Sequence, residues 1–219
     1  MFVTRRMRRD VATVAQTSTL KEARLLMRER NVRQLPVTGE DNKLFGILSD
    51  RDIREAMLPV GLLPGTSEKE MEEMLANTPV EKVMTHKVVT ATIDDSLEDA
   101  VVLLHDFRVN SLPVVDDRGR VAGIITRTDI LKAFIEALGV GEISSRLEVV
   151  VPDLPGTLVP IVTIIKNFHV NITSILTTGH TDPDKRAVVF RIATRNVGPI
   201  RKALQEAGYE ILSPGDFRT

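Results

Sequence analysis

The sequence predicts a mixed α/β protein of three small units, the first two of them copies of one another. Three observations carry this. A stretch of 47 residues returns without a gap at an offset of 77 residues. Within each copy, short apolar runs and an amphipathic helix alternate in the order β-α-β-β-α. After Gly139 and Gly141 the pattern changes to β-α-β-β-α-β.

Met7 to Ile53 aligns with Met84 to Ile130, and fourteen of the 47 pairs are identical. Among them are Val11/Val88, Thr13/Thr90, Val32/Val109, Pro36/Pro113, Gly46/Gly123 and Asp52/Asp129. Chance at average composition gives about three, so the chain holds a duplicated fold unit.

The elements of each copy follow in order. Val11 to Val14 and Val88 to Ala91 predict a first strand. Thr19-x-x-Glu22 and Ser96-x-x-Asp99 are capping boxes that start a helix. Leu20, Ala23, Leu26 and Met27 share its apolar face, and Leu97, Ala100, Val101, Leu104 and Phe107 repeat that face. Leu35-Pro36-Val37 and Leu112-Pro113-Val114-Val115 predict a strand whose proline suits an edge or a strand end. Polar turns follow at Gly39 to Lys43 and Asp116 to Arg120. The next strands, Leu44 to Leu48 and Val121 to Ile125, lead into helices starting near Asp52 and Asp129. Pro59, Gly61, Pro64 and Gly65 then mark a loop. Ser67-x-x-Glu70 starts an inserted helix with Met71, Met74 and Leu75 on its core face.

Each copy ends in the same motif. Gly46-Ile47-Leu48-Ser49-Asp50-Arg51-Asp52-Ile53 returns as Gly123-Ile124-Ile125-Thr126-Arg127-Thr128-Asp129-Ile130. The glycine permits close approach of a ligand to the backbone. The hydroxyl and the carboxylate three positions on can accept hydrogen bonds from a ligand, or can cap the following helix.

The Val-x-Thr strand, the Val-x-x-Leu-Pro-Val segment and the Gly-x-x-(Ser/Thr)-x-x-Asp ending together resemble the CBS module. In that family two units pair into a disc with clefts between them, and many members bind adenosine-containing ligands there. The resemblance implies two such clefts here. Thr13, Val32 and Pro36 would line one, and Thr90, Val109 and Pro113 the other. Asp52 and Asp129 would hold ribose hydroxyls, and Ser49 and Thr126 ribose or phosphate. Arg51 and Arg127 would neutralise phosphate, unless they merely solvate a helix start. Ser-Asp-Arg-Asp is the more negative motif and Thr-Arg-Thr-Asp the more positive, which predicts that the second cleft favours a phosphorylated ligand. The insertion running into Pro79-Val80-Glu81-Lys82-Val83-Met84 looks like that of acetoin-utilisation B-type proteins.

The third unit reads as a ferredoxin-like β-α-β-β-α-β pattern. Its strands are Leu147 to Val151, Val170 to Thr178, Arg186 to Thr194 and Tyr209 to Leu212. The first helix, from Leu158, turns Leu158, Ile161, Val162, Ile165 and Phe168 inward. The second starts near Pro199 and stops at Gly208. Asp153-x-Pro155-Gly156 and Val170-Asn171-Ile172 resemble the ACT domain, a regulatory module that often binds amino acids at a dimer interface. The resemblance implies Asp153, Gly156 and Asn171 as ligand positions. Asp153 stands where members often have asparagine, and Val151 where some have histidine. Amino-acid binding and a dimerising or partner-docking role both stay open. The expected boundaries are 1–76 for the first copy with its insertion, 77–138 for the second and 144–219 for the third unit.

Composition narrows the classes. The 219 residues are 42% hydrophobic and 27% charged, with net charge -1 and no cysteine. This predicts an ordinary soluble protein that is no general nucleic-acid binder, and it excludes thiolate chemistry. Arg5, Arg6, Arg8 and Arg9 read as a solvated extension. No apolar run suits membrane insertion and no secretory signal is evident, so a cytoplasmic location is expected. His86, His105, His169 and His180 lack metal-ligand spacing, and no phosphate loop or nucleophile elbow appears. The expectation is therefore a non-catalytic sensor without a cofactor. Its ligand would be AMP, ADP, ATP, S-adenosylmethionine or NADH, and its third unit would move across a Gly139/Gly141 hinge. A homodimer and a link to acetoin or acetate metabolism are also expected. The alternatives are a scaffold that docks a partner enzyme, with vestigial clefts, and an ATP hydrolase.

Overall fold

The computed structural model of the chain describes residues 1–61 and 67–213, with backbone alone at 59–61. The sequence signals at Pro64 and Gly65 lie outside the described residues. The first copy contains β1 (Val14–Ala15), α1 (Leu20–Glu29), β2 (Gln34–Thr38), β3 (Leu44–Ser49) and α2 (Asp50–Gly61). The inserted helix α3 is Glu68–Asn77. The second copy contains β4 (Ala91–Thr92), α4 (Leu97–Asp106), β5 (Ser111–Val115), β6 (Val121–Thr126) and α5 (Arg127–Ala137). Each copy folds as a three-stranded sheet with parallel and antiparallel pairings, β1-β2-β3 and β4-β5-β6.

Local chemistry explains the helices. Thr19, Ser67 and Ser96 each accept the third-residue N–H, and Glu22, Glu70 and Asp99 each reach back to the cap N–H. Three orphan-donor pairs are satisfied in this way. Helix α1 buries Leu20, Ala23 and Met27, and α4 buries Leu97, Ala100 and Leu104. Val101 and Phe107, expected inside, are 36% and 59% exposed. Phe107 is the C-cap, where the chain leaves the helix, and Val101 flanks the buried stripe. Helix α2 begins at Asp50 and α5 at Arg127, two residues earlier than expected, because Ser49 and Thr126 cap them. Helix α2 continues through Pro59 to Gly61, where a loop was expected.

Pro36 and Pro113 correct a second expectation. Their strands β2 and β5 are the central ones. The neighbouring β1 and β4 are only two residues long and pair with Val37–Thr38 and Val114–Val115. Each proline thus lies just before its strand acquires a parallel neighbour, where no amide is demanded.

The short β1 and β4 have a physical cause: the leaders are exchanged. Arg8 forms a reciprocal backbone bridge with Ile124 of the second copy, and Thr85 forms the equivalent bridge with Ile47 of the first. Residues 8–14 and 85–91 therefore cross between the copies before they join a sheet. Val3 donates to the carbonyl of Asp95, and Val80 to that of Ser18, and both are fully buried. Equivalent residues also meet each other: the Ser111 hydroxyl donates to Gln34 Oε1, and Lys43 bridges Arg120. Asn42 Nδ2 donates to the Val121 carbonyl and Leu44 N to that of Gly119, a reciprocal pair. The copies are related as the halves of an isologous two-fold pair.

The C-terminal unit is built on β7 (Ser145–Pro152), α6 (Leu158–Lys166), β8 (Ile172–Gly179), β9 (Lys185–Ile192), α7 (Gly198–Glu206) and β10 (Glu210–Leu212). The order β10-β7-β9-β8, antiparallel throughout, is the ferredoxin-like one. Leu147, Val149, Val151, Val188, Phe190 and Ile192 of the sheet pack with Ile161, Ile165, Ile200 and Leu204 of the helices. Val162 and Phe168, expected inward, are 37% and 36% exposed. Phe168 follows the end of α6. Gly139, expected as a hinge, is a helix stop. It has φ +64°, donates to Glu136 O, and is followed by Val140 donating to Ile135 O, a Schellman end to α5. A side chain there would meet Thr173 Cγ2 at 2.5 Å.

Candidate functional site

The duplicated motif places the same small constellation at one end of each sheet. In the first copy Asp52 Oδ2 accepts from Ser49 N at 2.7 Å and from Ser49 Oγ at 2.7 Å. In the second, Asp129 Oδ2 accepts from Thr126 N at 3.0 Å and Thr126 Oγ1 at 2.6 Å. The hydroxyl and the carboxylate thus cap the helix, and they also bond to each other. This fixes both side chains and commits one carboxylate oxygen. The other oxygen faces a ligand in the first copy, and in the second it already accepts from Arg8.

Backbone register gathers the expected lining. Val14 pairs with Val37, so Thr13 stands level with Pro36, which pairs in turn with Ile47. Gln34 pairs with Ser49. Thr90, Pro113 and Ile124 repeat this row, and Ser111 pairs with Thr126. Pro36 and Pro113 are buried, while Thr13, Thr90, Val32 and Val109 are half-buried. Val32 is held by its N–H to Met27 O at 2.9 Å. The two constellations adjoin through the Gln34–Ser111 hydrogen bond, which joins the partner of Ser49 to the partner of Thr126. Gln34 and Ser111 are equivalent positions of different residue type, so identity between the copies does not single them out.

The glycines do something other than expected. A Cβ on Gly46 would lie 2.5 Å from Met84 Sδ and 3.0 Å from Thr85 O. On Gly123 it would run into Met7 Sδ and lie 3.0 Å from Arg8 O. What approaches the backbone there is the exchanged leader, not a ligand.

The arginines separate the two copies. Arg51 Nε donates to Glu55 Oε1 at 2.7 Å along α2, and that carboxylate pushes its pKa further up. Arg127 Nη2 donates to Leu104 O at 3.1 Å, at the end of α4. Arg8 meets a capping carboxylate: its Nη2 is 3.3 Å from Asp129 Oδ1. The sequence reading left Arg8 in a solvated extension. The signal that finds it is the exchange of leaders, which no local pattern reveals.

The C-terminal unit divides its expected residues between two shallow hollows. Asp153 and Gly156 border one of about 370 Å³ with Leu154, Leu158 and Thr177. Arg186 Nε donates to Asp153 Oδ1 across it at 2.6 Å, which raises the arginine pKa. Asn171 borders the other, about 410 Å³, with Val162, Lys166 and His169 at the far end of α6. One chain does not bring the three residues together. Among the described residues no group of His, Cys, Asp or Glu could hold a metal ion, and no helix is long and apolar enough to cross a membrane.

The CBS domain family matches residues 3–59 and 80–136, more than half of the chain. The chain belongs to the CBS-domain family. A TTHA0829-like ACT domain matches residues 144–214. Among solved CBS proteins, one described as the acetoin utilization protein (AcuB) of Vibrio cholerae superposes with a TM-score of 0.53. It is 27% identical and covers 64% of this chain and 95% of its own. The CBS pair of protein MJ0100, crystallised with 5′-methylthioadenosine and S-adenosyl-L-methionine, superposes at 0.51. It is 26% identical over 61% of this chain and 95% of that one. CBSX2 in complex with AMP also superposes at 0.51, 27% identical over 61% of this chain and 96% of that one. The CBS chain spans only 21–23% of the length of the first curated relatives it matches, which are much larger enzymes.

Proposed function

We propose that this CBS protein is a non-catalytic regulator whose paired units bind an adenosine-containing ligand: AMP, ADP, ATP, S-adenosylmethionine or NADH. The carrying observation is the capped Ser49–Asp52 and Thr126–Asp129 pair, repeated across a two-fold and set in a fold whose solved relatives hold AMP, 5′-methylthioadenosine or S-adenosyl-L-methionine. The remaining carboxylate oxygens take the ribose hydroxyls. Thr13, Val32 and Pro36, with Thr90, Val109 and Pro113, line the two base slots. Ser49 and Thr126 add to the ribose contacts, while Arg51 and Arg127 reach a phosphate only by leaving Glu55 and the Leu104 carbonyl. The ACT-type unit dimerises the chain or senses a second small metabolite, and an amino acid held by Asp153, Gly156 and Asn171 together would need a second copy of the chain. The working division is 1–76, 77–138 and 144–219, in a cytoplasmic protein with a link to acetoin or acetate use.

Thermal unfolding with each of the five ligands tests this. At about 100 times its dissociation constant a ligand adds roughly 2.7 kcal/mol, and Asp52→Ala or Asp129→Ala is expected to abolish that gain for its own cleft. No shift with any ligand would leave the scaffold reading, with a partner enzyme to be captured through the C-terminal unit.

A further inference from the structure

We infer that the cleft beside Asp129 is built for an adenosine ligand with an anionic 5′ substituent, and that Arg8 selects it. This rests on the sensor reading above and names the ligand class of one of its two sites. The exchanged leader carries Arg8 to Asp129 from the far side of the sequence. Its backbone is fixed by two hydrogen bonds with Ile124, at 2.9 and 3.0 Å. Met7 beside it is wedged against Gly123.

The guanidinium reaches Asp129 Oδ1 through Nε at 3.4 Å and Nη2 at 3.3 Å. Both contacts are long, and both go to one oxygen instead of forking onto two. The second oxygen is committed to Thr126. Arginine carries five N–H donors, so this contact spends two of them, in a side chain that is 58% exposed. A neutral ribose approaching Asp129 must compete with Arg8 for Oδ1. A ligand that brings a phosphate with its ribose removes the conflict. The phosphate gives the guanidinium a stronger acceptor, and the hydroxyls gain the carboxylate oxygen.

The first cleft cannot discriminate in this way. Thr85 occupies the position of Arg8, held to Ile47 by the same two backbone bonds. The cations on its motif helix are engaged locally, Arg51 with Glu55 and Arg54 with Asp50.

Isothermal titration of the full chain with AMP and with adenosine tests the assignment. Arg8→Gln is expected to weaken AMP about tenfold or more at one of two sites. It should leave adenosine within twofold or tighten it. Thr85→Arg is expected to strengthen AMP at the other site, and keeps the test alive if Arg8→Gln folds poorly. Unchanged AMP affinity in Arg8→Gln overturns the assignment, as does an equal loss of AMP and adenosine. If the wild-type chain binds neither, the sensor reading falls and takes this assignment with it; if AMP binds but both variants behave as wild type, only the assignment falls.

Discussion

Two glycines, Gly46 and Gly123, show how one residue type can be misread from sequence and still be correctly placed. The motif demands glycine because a methionine sulfur and a backbone carbonyl from a distant segment fill the space a Cβ would need. Met84 can shift; the Thr85 and Arg8 carbonyls belong to paired backbone and cannot shift cheaply. Gly46→Ala and Gly123→Ala are therefore expected to destabilise the protein by about 1–3 kcal/mol, the usual cost of overpacking. Chemical denaturation reads this directly; a loss below about 0.5 kcal/mol would mean that the leader gives way. Identity across the duplication singles out Asp52 and Asp129, and each accepts from the hydroxyl and N–H of its helix cap. The contact of Arg8 with Asp129 is not legible in the sequence, because 121 residues separate the two and the counterpart Thr85 differs in chemistry.

Among elements, the helices were the most legible and the edge strands the least. A capping box is local: Ser67, Ser96 and Thr19 specify their helices within four residues. These caps also carry a pH signature. Hydrogen bonds from the Ser96 hydroxyl and N–H hold the Asp99 carboxyl below its ordinary range, and those from Ser67 do the same for Glu70. A depressed folded-state pKa contributes stability that is present above the unfolded value and lost as pH falls through the folded one. Stability should therefore decline as pH drops below about 4, and Ser96→Ala should flatten part of that decline. Urea melts between pH 3 and 6 check it; parallel curves for the two proteins would argue against the cap as the source. The first strands were misplaced by three residues, since Val11 to Thr13 and Val88 to Thr90 look like strand but span the gap between copies. Periodicity reports a residue's environment, not which sheet supplies it. Val101, Phe107, Val162 and Phe168 failed similarly: each flanks or follows a helix whose buried stripe is narrower than its apolar composition suggested.

At the scale of the molecule, the duplication was legible and the exchange of leaders was not. The exchange makes stability non-local. Met7 is 8% exposed and packs on Gly123 of the second copy, although it opens the first. Met7→Ala is expected to cost about 2–5 kcal/mol, as for other buried methionines. Amide exchange should accelerate in β5 and β6, not in β2 and β3. Faster exchange confined to β2 and β3 would contradict the crossed packing. The C-terminal unit, by contrast, was legible almost strand for strand, since each of its elements pairs inside a single stretch of chain.

The reciprocal bridges Arg8–Ile124 and Thr85–Ile47 also say what half of this pair would be on its own. In each copy the third strand is a sheet edge, and the leader that bonds to it comes from the other copy. Two separate copies would satisfy each other by trading leaders, at a concentration they would have to supply. The chain supplies it through its own connection, so the first 131 residues amount to a tethered homodimer. Tethering also frees the halves from identity: equivalent leader positions carry Arg8 in one and Thr85 in the other, which no symmetric pair of identical chains could do.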